Sequence, residues 1–510
     1  MTEPRALRRR IRHGRGIRGA LVASVLAVAG LTLLAVACTG DTEPSAPSTT
    51  AAPTTSAPPP PTGAEESEPE EPPEPAWVVQ VGGPAADSLL GVAARDDEVV
   101  ATGYTEGALS GQNAGGRDVL VAAVGTDGAV RSLQQAGEDR DDSALGVGAG
   151  EGATVACGYT QSAFGAPNAG SADAWCAPVD ADGALGTPYQ QGGSDWDRLY
   201  GAAMVPDGSL GYTGGYTLGL FPGASDSSAG LLGEGDALLW QIRPDGTPSW
   251  IRQFGSEATD WGQGVAATSD GDALIVGYTQ GAMGGPSNGG TDGFIARFDP
   301  SGLPRWIGQF GTEGADWPKG VAVGGSPTAG TESFVTVGST DGALAPALGG
   351  ERNSLRDAPR ADGAEPAPIN AGGTDAMVLA FDTGGDQVWA AQLGSEGAED
   401  AIGVGVDGST VLVAGTTSGA LATNGDPAAG GKDGFLAALD LADGRLRWIT
   451  QFGSPGDEDV GGLAITEDGL VVVSGQTTGQ LGDAPNAGAA DGFLVAFPLP
   501  GAGGSAASAL

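Results

Sequence analysis

Between Trp77 and Phe497 the chain repeats one succession seven times: Trp-x-x-Gln-Phe-Gly, an acid, Gly-Val-Ala, Gly-Tyr-Thr and Gly-Gly-x-Asp-Gly-Phe, with drift between copies. The copy from Trp250 to Trp306 is the cleanest. It holds four short apolar runs, Trp250–Phe254, Gly264–Thr268, Ala273–Tyr278 and Gly293–Phe298. The sequences Ser269-Asp270-Gly271-Asp272 and Asp299-Pro300-Ser301-Gly302 between them are turn formers, so the runs read as β-strands. A single unit of this kind cannot bury its apolar surface alone, and stacked neighbours must do it.

The repeat positions are countable. The second strand ends in Gly-x-Thr at Thr105, Thr160, Thr217, Thr279, Thr340, Thr417 and Thr477. An Asp opens the third strand at Asp118, Asp173, Asp236, Asp292, Asp375, Asp433 and Asp491. The fourth begins with Trp77, Trp250, Trp306, Trp389 or Trp448, and with Leu133 and Tyr189 in the two drifted units. A Gln follows at Gln80, Gln135, Gln191, Gln253, Gln309, Gln392 and Gln451. Four strands recurring with a period of roughly 55–77 residues indicate an all-β fold, a seven-bladed propeller of four-stranded antiparallel blades. The head starts with a lone outer strand, Trp77–Val81, and ends with three strands, Gly462–Thr466, Leu470–Gly475 and Gly492–Phe497. The N-terminal strand is therefore expected to complete the last blade and leave no open edge at the seam.

With these motifs in place, Trp77 to about Pro500 resembles the bacterial seven-bladed β-propeller repeat (SBBP-type) family. That resemblance implies a propeller and brings no catalytic residues with it. The segment Ala438–Trp448 (ALDLADGRLRW) also looks like the tryptophan-docking motif of quinone-cofactor propellers, which we read as shared blade geometry. No copy fits the spacing of a sialidase Asp box.

The N-terminus reads as an address. Seven Arg between Arg5 and Arg18 precede an apolar stretch from Ala20 to Ala37, the layout of a secretory signal. Leu34-Ala35-Val36-Ala37-Cys38 resembles the bacterial lipoprotein cleavage box, which implies Cys38 as the acylated anchor and a protein held at the outer side of the cell membrane. The expected organisation is a signal over 1–37, a Pro/Ser/Thr/Glu linker over 38–76, the propeller over 77–500 and a tail over 501–510. The linker composition cannot form a packed core and serves as a spacer.

Charge and residue usage bound the chemistry. The formal charge of −40 becomes −46 once the seven Arg and Glu3 of the signal are removed. This argues against nucleic acid as a partner. The one histidine, His13, lies in the signal, so His-dependent triads and the usual His-containing zinc sites are excluded from the head. Cys157 and Cys176 fall in adjacent strands of one unit and are expected to form a disulfide outside the cytoplasm, with a reactive thiol or metal pair as the alternative.

Acids form the one repeated polar constellation. Asp87, Asp142, Asp197, Asp260, Asp316, Glu399 and Glu458 precede the inner strands, and the Asp set of the third strands accompanies them. Loops on the same side of each blade carry both sets, so fourteen carboxylates are expected on one rim around the central channel. One reading makes the rim a Ca²⁺ site or a docking face for a basic partner; the other makes each acid a hydrogen-bond acceptor for its own blade. The insertion over 345–370, with Arg352, Arg356 and Arg360, interrupts the pattern on the same side. These observations point to a membrane-anchored binding or scaffold module for an envelope protein or polysaccharide, without cofactor. The alternative is an extracytoplasmic carbohydrate-active enzyme working through rim carboxylates.

Overall fold

The computed structural model describes residues 70–226, 233–325, 332–344, 353–354, 372–422, 430–483 and 485–499. Cys38, most of the linker, the tail and most of the insertion lie outside them. Every regular element among the described residues is a strand. They form seven sheets, each built on four antiparallel strands that run in chain order from the centre outward, save that the outer strand of the last sheet comes from the start of the propeller. In the fourth blade these are Asp260–Ala267, Ala273–Thr279, Asp292–Phe298 and Pro304–Phe310. Each inner strand packs on the next, and Glu458–Ile465 packs on Asp87–Arg95, so the sheets close into a ring.

The seam closes as expected. Trp77–Val81 is the outer strand of the seventh blade, with Trp77 opposite Ala496 and Val81 opposite Gly492. The third strands open on their Asp and the second strands end on their Thr in all seven blades. The inner strand of the fourth blade begins four residues earlier than its apolar run, at Asp260, because a bulge between Gly262 and Val265 interrupts the pattern. The same bulge occurs in every inner strand. In two blades a short segment adds a parallel fifth strand at the outer edge: Ser225–Asp226, and Asn353–Ser354 from the insertion.

The core lies between blades rather than within them. Each of seven buried apolar clusters joins residues of two adjacent blades, such as Leu239 and Phe254 with Ile275 and Phe294. At the outer edge, the indoles of Trp77, Trp250, Trp306 and Trp389 donate to backbone carbonyls of the next blade at 2.8–3.1 Å. They lie over turn glycines with positive φ, Gly128, Gly302, Gly385 and Gly444. Gly444 belongs to the tryptophan-docking stretch, so here that stretch is a joint between blades. Cys157 and Cys176, directly opposite in the second blade, are joined by a disulfide and fully buried.

Candidate binding face at the channel mouth

Strand register decides where the fourteen acids go. In each blade the inner-strand acid lies opposite the Gly-x-Thr threonine, which lies opposite the third-strand Asp, as in Asp260, Thr279 and Asp292. All fourteen are at most 2% exposed. They therefore form no solvent-facing rim. Each inner-strand acid accepts the backbone N–H four residues before it, for example Gly83 to Asp87 at 2.7 Å, Gly193 to Asp197 at 2.7 Å and Ser454 to Glu458 at 2.8 Å. The threonine hydroxyl donates to the same group, from Thr160 to Asp142, Thr417 to Glu399 and Thr477 to Glu458.

The third-strand set is held by glutamine. The side-chain amides of Gln80, Gln135, Gln190, Gln253, Gln309, Gln392 and Gln451 each donate to an Asp carboxylate at 2.7–2.9 Å. The same amide bridges the loop between the second and third strands; Gln309 donates to the Gly281 carbonyl at 2.9 Å and accepts from Met283 N–H at 2.9 Å. In the second blade this residue is Gln190. Gln191, the residue the sequence spacing selects, instead accepts from the Tyr189 hydroxyl at 2.5 Å. The outer strand there is only three residues long, and its register differs by one from that expectation.

Burial acts on the inner-strand acids. Loss of solvation pushes the Asp142 and Asp197 carboxyls up to about 6, against the opposing pull of their hydrogen bonds. Asp87, Asp260, Asp316, Glu399 and Glu458 are raised by the same cause. The described residues contain no cluster of three or more metal-ligating side chains.

The next residues along each strand lie nearer the surface on this side: Tyr104, Arg198, Tyr200, Trp261, Tyr278, Trp317 and Lys319 are half-buried, while Tyr159 and Tyr216 are buried behind them. The tyrosines of Gly-Tyr-Thr, and the residues one and three places after each inner-strand acid, surround the channel mouth. In the first five blades many of them are aromatic or cationic (Tyr104, Tyr159, Arg198, Tyr200, Tyr216, Trp261, Tyr278, Trp317 and Lys319), interspersed with Ser88, Leu90, Ser143, Leu145 and Gln263. Arg117 lies 4.0 Å over the Tyr104 ring, and Arg198 lies 4.3 Å over Tyr159 and 4.5 Å over Trp196. Tyr216 stacks on Trp261 of the next blade at 4.1 Å, and Tyr200 and Tyr278 extend the series. A hollow of about 350 Å³ between Tyr278, Trp317 and Lys319 continues it into the fifth blade. Beyond that, Ser339, Thr416 and Gln476 replace the tyrosines, and Asp400 and Asp459 follow the inner-strand acids. Two ion pairs, Lys319–Asp400 and Lys432–Asp459, mark this second arc.

The channel below the mouth encloses about 370 Å³ and is lined by three or four consecutive inner-strand residues per blade. Glycine is needed there for close approach. A Cβ at Gly146 would lie 2.4 Å from the Tyr200 carbonyl, and one at Gly264 2.5 Å from that of Lys319. The aromatic crescent escaped the sequence reading, although its signal was visible: Tyr sits in four of the seven Gly-x-Thr motifs, all in consecutive blades.

No family model matches the chain. It is 25% identical over 429 residues to the regulatory protein FlaEY of Caulobacter vibrioides, covering 79% of this chain and 43% of that protein. The chain thus spans less than half the length of the curated relative it matches. Among solved structures it is similar to the quinohemoprotein alcohol dehydrogenase ADHIIG of Pseudomonas putida HK5, with 12% identity, 84% and 76% coverage and a TM-score of 0.40. It is also similar to the periplasmic gluconolactonase PpgL of Pseudomonas aeruginosa, with 14% identity, 78% and 100% coverage and a TM-score of 0.43.

Proposed function

We propose that the propeller is a non-catalytic binding module, tethered through Cys38 to the outer side of the cell membrane, that presents its channel mouth to an envelope component. The observation that carries this reading is the aromatic and cationic crescent from Tyr104 to Trp317, partly exposed around a preformed opening. Such a combination of apolar surface with a few placed polar groups is what binding sites use. The burial of all fourteen repeated carboxylates supports this reading over a carbohydrate-active enzyme working through them.

The test is a pull-down from cell envelope with the full-length protein and with a double variant, Arg198→Ser and Tyr278→Ser. Ser143 and Ser339 hold the equivalent places in other blades, so the fold accommodates serine at both. Wild type should retain envelope material that the variant loses. Equal capture by both would dismiss the crescent as the binding face.

A further inference from the structure

Resting on that reading, we infer that the channel mouth recognises an uncharged glycan, a chain of neutral sugar units whose hydroxyls both donate and accept hydrogen bonds. The two arcs of the mouth differ in hydrogen-bonding sense. The crescent is rich in donors, and two donor atoms in it, Arg198 Nε and Trp261 Nε1, are buried without a hydrogen-bond partner, although the Arg198 side chain also meets the Tyr200 hydroxyl. Arg198 also makes no ion pair among the described residues. Burial raises the phenols of Tyr104, Tyr200 and Tyr216, the last to about 12, so they remain protonated donors at neutral pH. The opposite arc carries two carboxylates, Asp400 and Asp459, each paired with a lysine. Asp400 Oδ1 is buried with no partner, whereas both oxygens of Asp459 accept, from Lys432 and Gln476. A buried polar group left unpaired costs free energy, so a small side-chain movement that lets a ligand hydroxyl reach these atoms is favoured.

Ligand charge is then decided by the rest of the molecule. A polyanion approaches a chain of formal charge −40 against a repulsive field. A polycation meets the positive groups of Arg117, Arg198 and Lys319 at the mouth. A polyol has neither conflict, and its C–H surface packs on Tyr and Trp rings, whose apolar bodies and polar tips suit such mixed contacts. The channel volume of about 370 Å³ lies within the range of small-ligand pockets.

The experiment is titration calorimetry of the full-length protein with neutral gluco-, manno-, galacto- and arabino-oligosaccharides, and with an oligogalacturonate of matched length. At least one neutral oligosaccharide should bind, with affinity insensitive to salt, and the uronate should bind more weakly. Arg198→Ser should weaken the neutral ligand by about tenfold, the scale of one hydrogen bond to a charged group, with the melting temperature unchanged. Tyr278→Phe, which removes only a hydroxyl, gives a second reading should Arg198→Ser perturb folding, and should weaken binding several-fold. Failure of every neutral oligosaccharide to bind, preference for the uronate, or affinity unchanged in both variants overturns the glycan assignment. If glycans fail while crescent-dependent capture of an envelope protein persists, the glycan assignment falls and the binding-module reading stands. If crescent variants alter neither measurement, both fall.

Discussion

Asp292 shows what the repeated polar residues do. Its carboxylate accepts Gln309 Nε2 at 2.8 Å and the Asn288 N–H at 2.8 Å, while Gln309 itself pins the Gly281–Met283 loop. Replacing Gln309 with Ala removes three bonds and leaves a buried carboxylate under-satisfied, so about 2–4 kcal/mol of stability should be lost in denaturant titration. The same logic governs the acids of the inner strands. Asp260→Asn combined with Asp316→Asn should lower the melting temperature equally with and without Ca²⁺, because these side chains spend their acceptors on Ser256, Thr312 and the neighbouring threonines. A Ca²⁺-dependent difference would contradict this. Their titration also sets a pH profile. With folded values above those of the unfolded chain, these acids favour the native state once protonated, and that contribution fades as pH rises through the folded value, about 6 for Asp142 and Asp197. The melting temperature should therefore climb by a few degrees between pH 8 and about pH 5. Below about pH 4 the depressed carboxyls, among them Asp270 and Asp440, reverse the trend as they protonate.

At the scale of elements, two contacts hold a blade to itself and to the next. Within the blade, the bulged inner strand presses against the glycine of Gly-x-Thr; a Cβ at Gly277 would fall 2.0 Å from the Trp261 carbonyl. Gly277→Ala should displace the inner strand and cost several kcal/mol, comparable to overpacking a core, as read by thermal unfolding. Between blades, Trp306 covers Gly385 and donates to the Thr383 carbonyl at 3.1 Å. Both contacts are legible in the sequence as conserved spacing within the chain, yet their purpose is not. The bulge itself gives no compositional signal, because Gly262 and Gln263 look like turn residues in a linear reading. The one-residue error at Gln191 arose likewise: Tyr189 imitates the outer-strand Trp, but the strand it opens is too short to set the register.

The propeller is a ring whose closure depends on five residues. Trp77–Val81 supplies the last outer strand and the glutamine, Gln80, that satisfies Asp491 at 2.9 Å. A chain beginning after Val81 should lose this seam, expose the edge of Asp491–Pro498 and melt at a lower temperature with a broader transition. Restoring Trp77–Val81 as a separate peptide should recover part of the loss, and no change on truncation would show that the ring closes by other means. Strand count, blade count and the seam were determined by sequence alone, because periodic strand and turn chemistry is local and its copies reinforce one another. The fate of the fourteen acids was decided only by tertiary structure. Spacing places them near one end of every blade, but whether a carboxylate faces water or a buried Thr, Gln and backbone N–H depends on cross-strand register and on the packing of neighbouring blades. The crescent is a tertiary product for the same reason. Tyr216 and Trp261 lie 45 positions apart in different blades, and only the ring brings their faces within 4.1 Å.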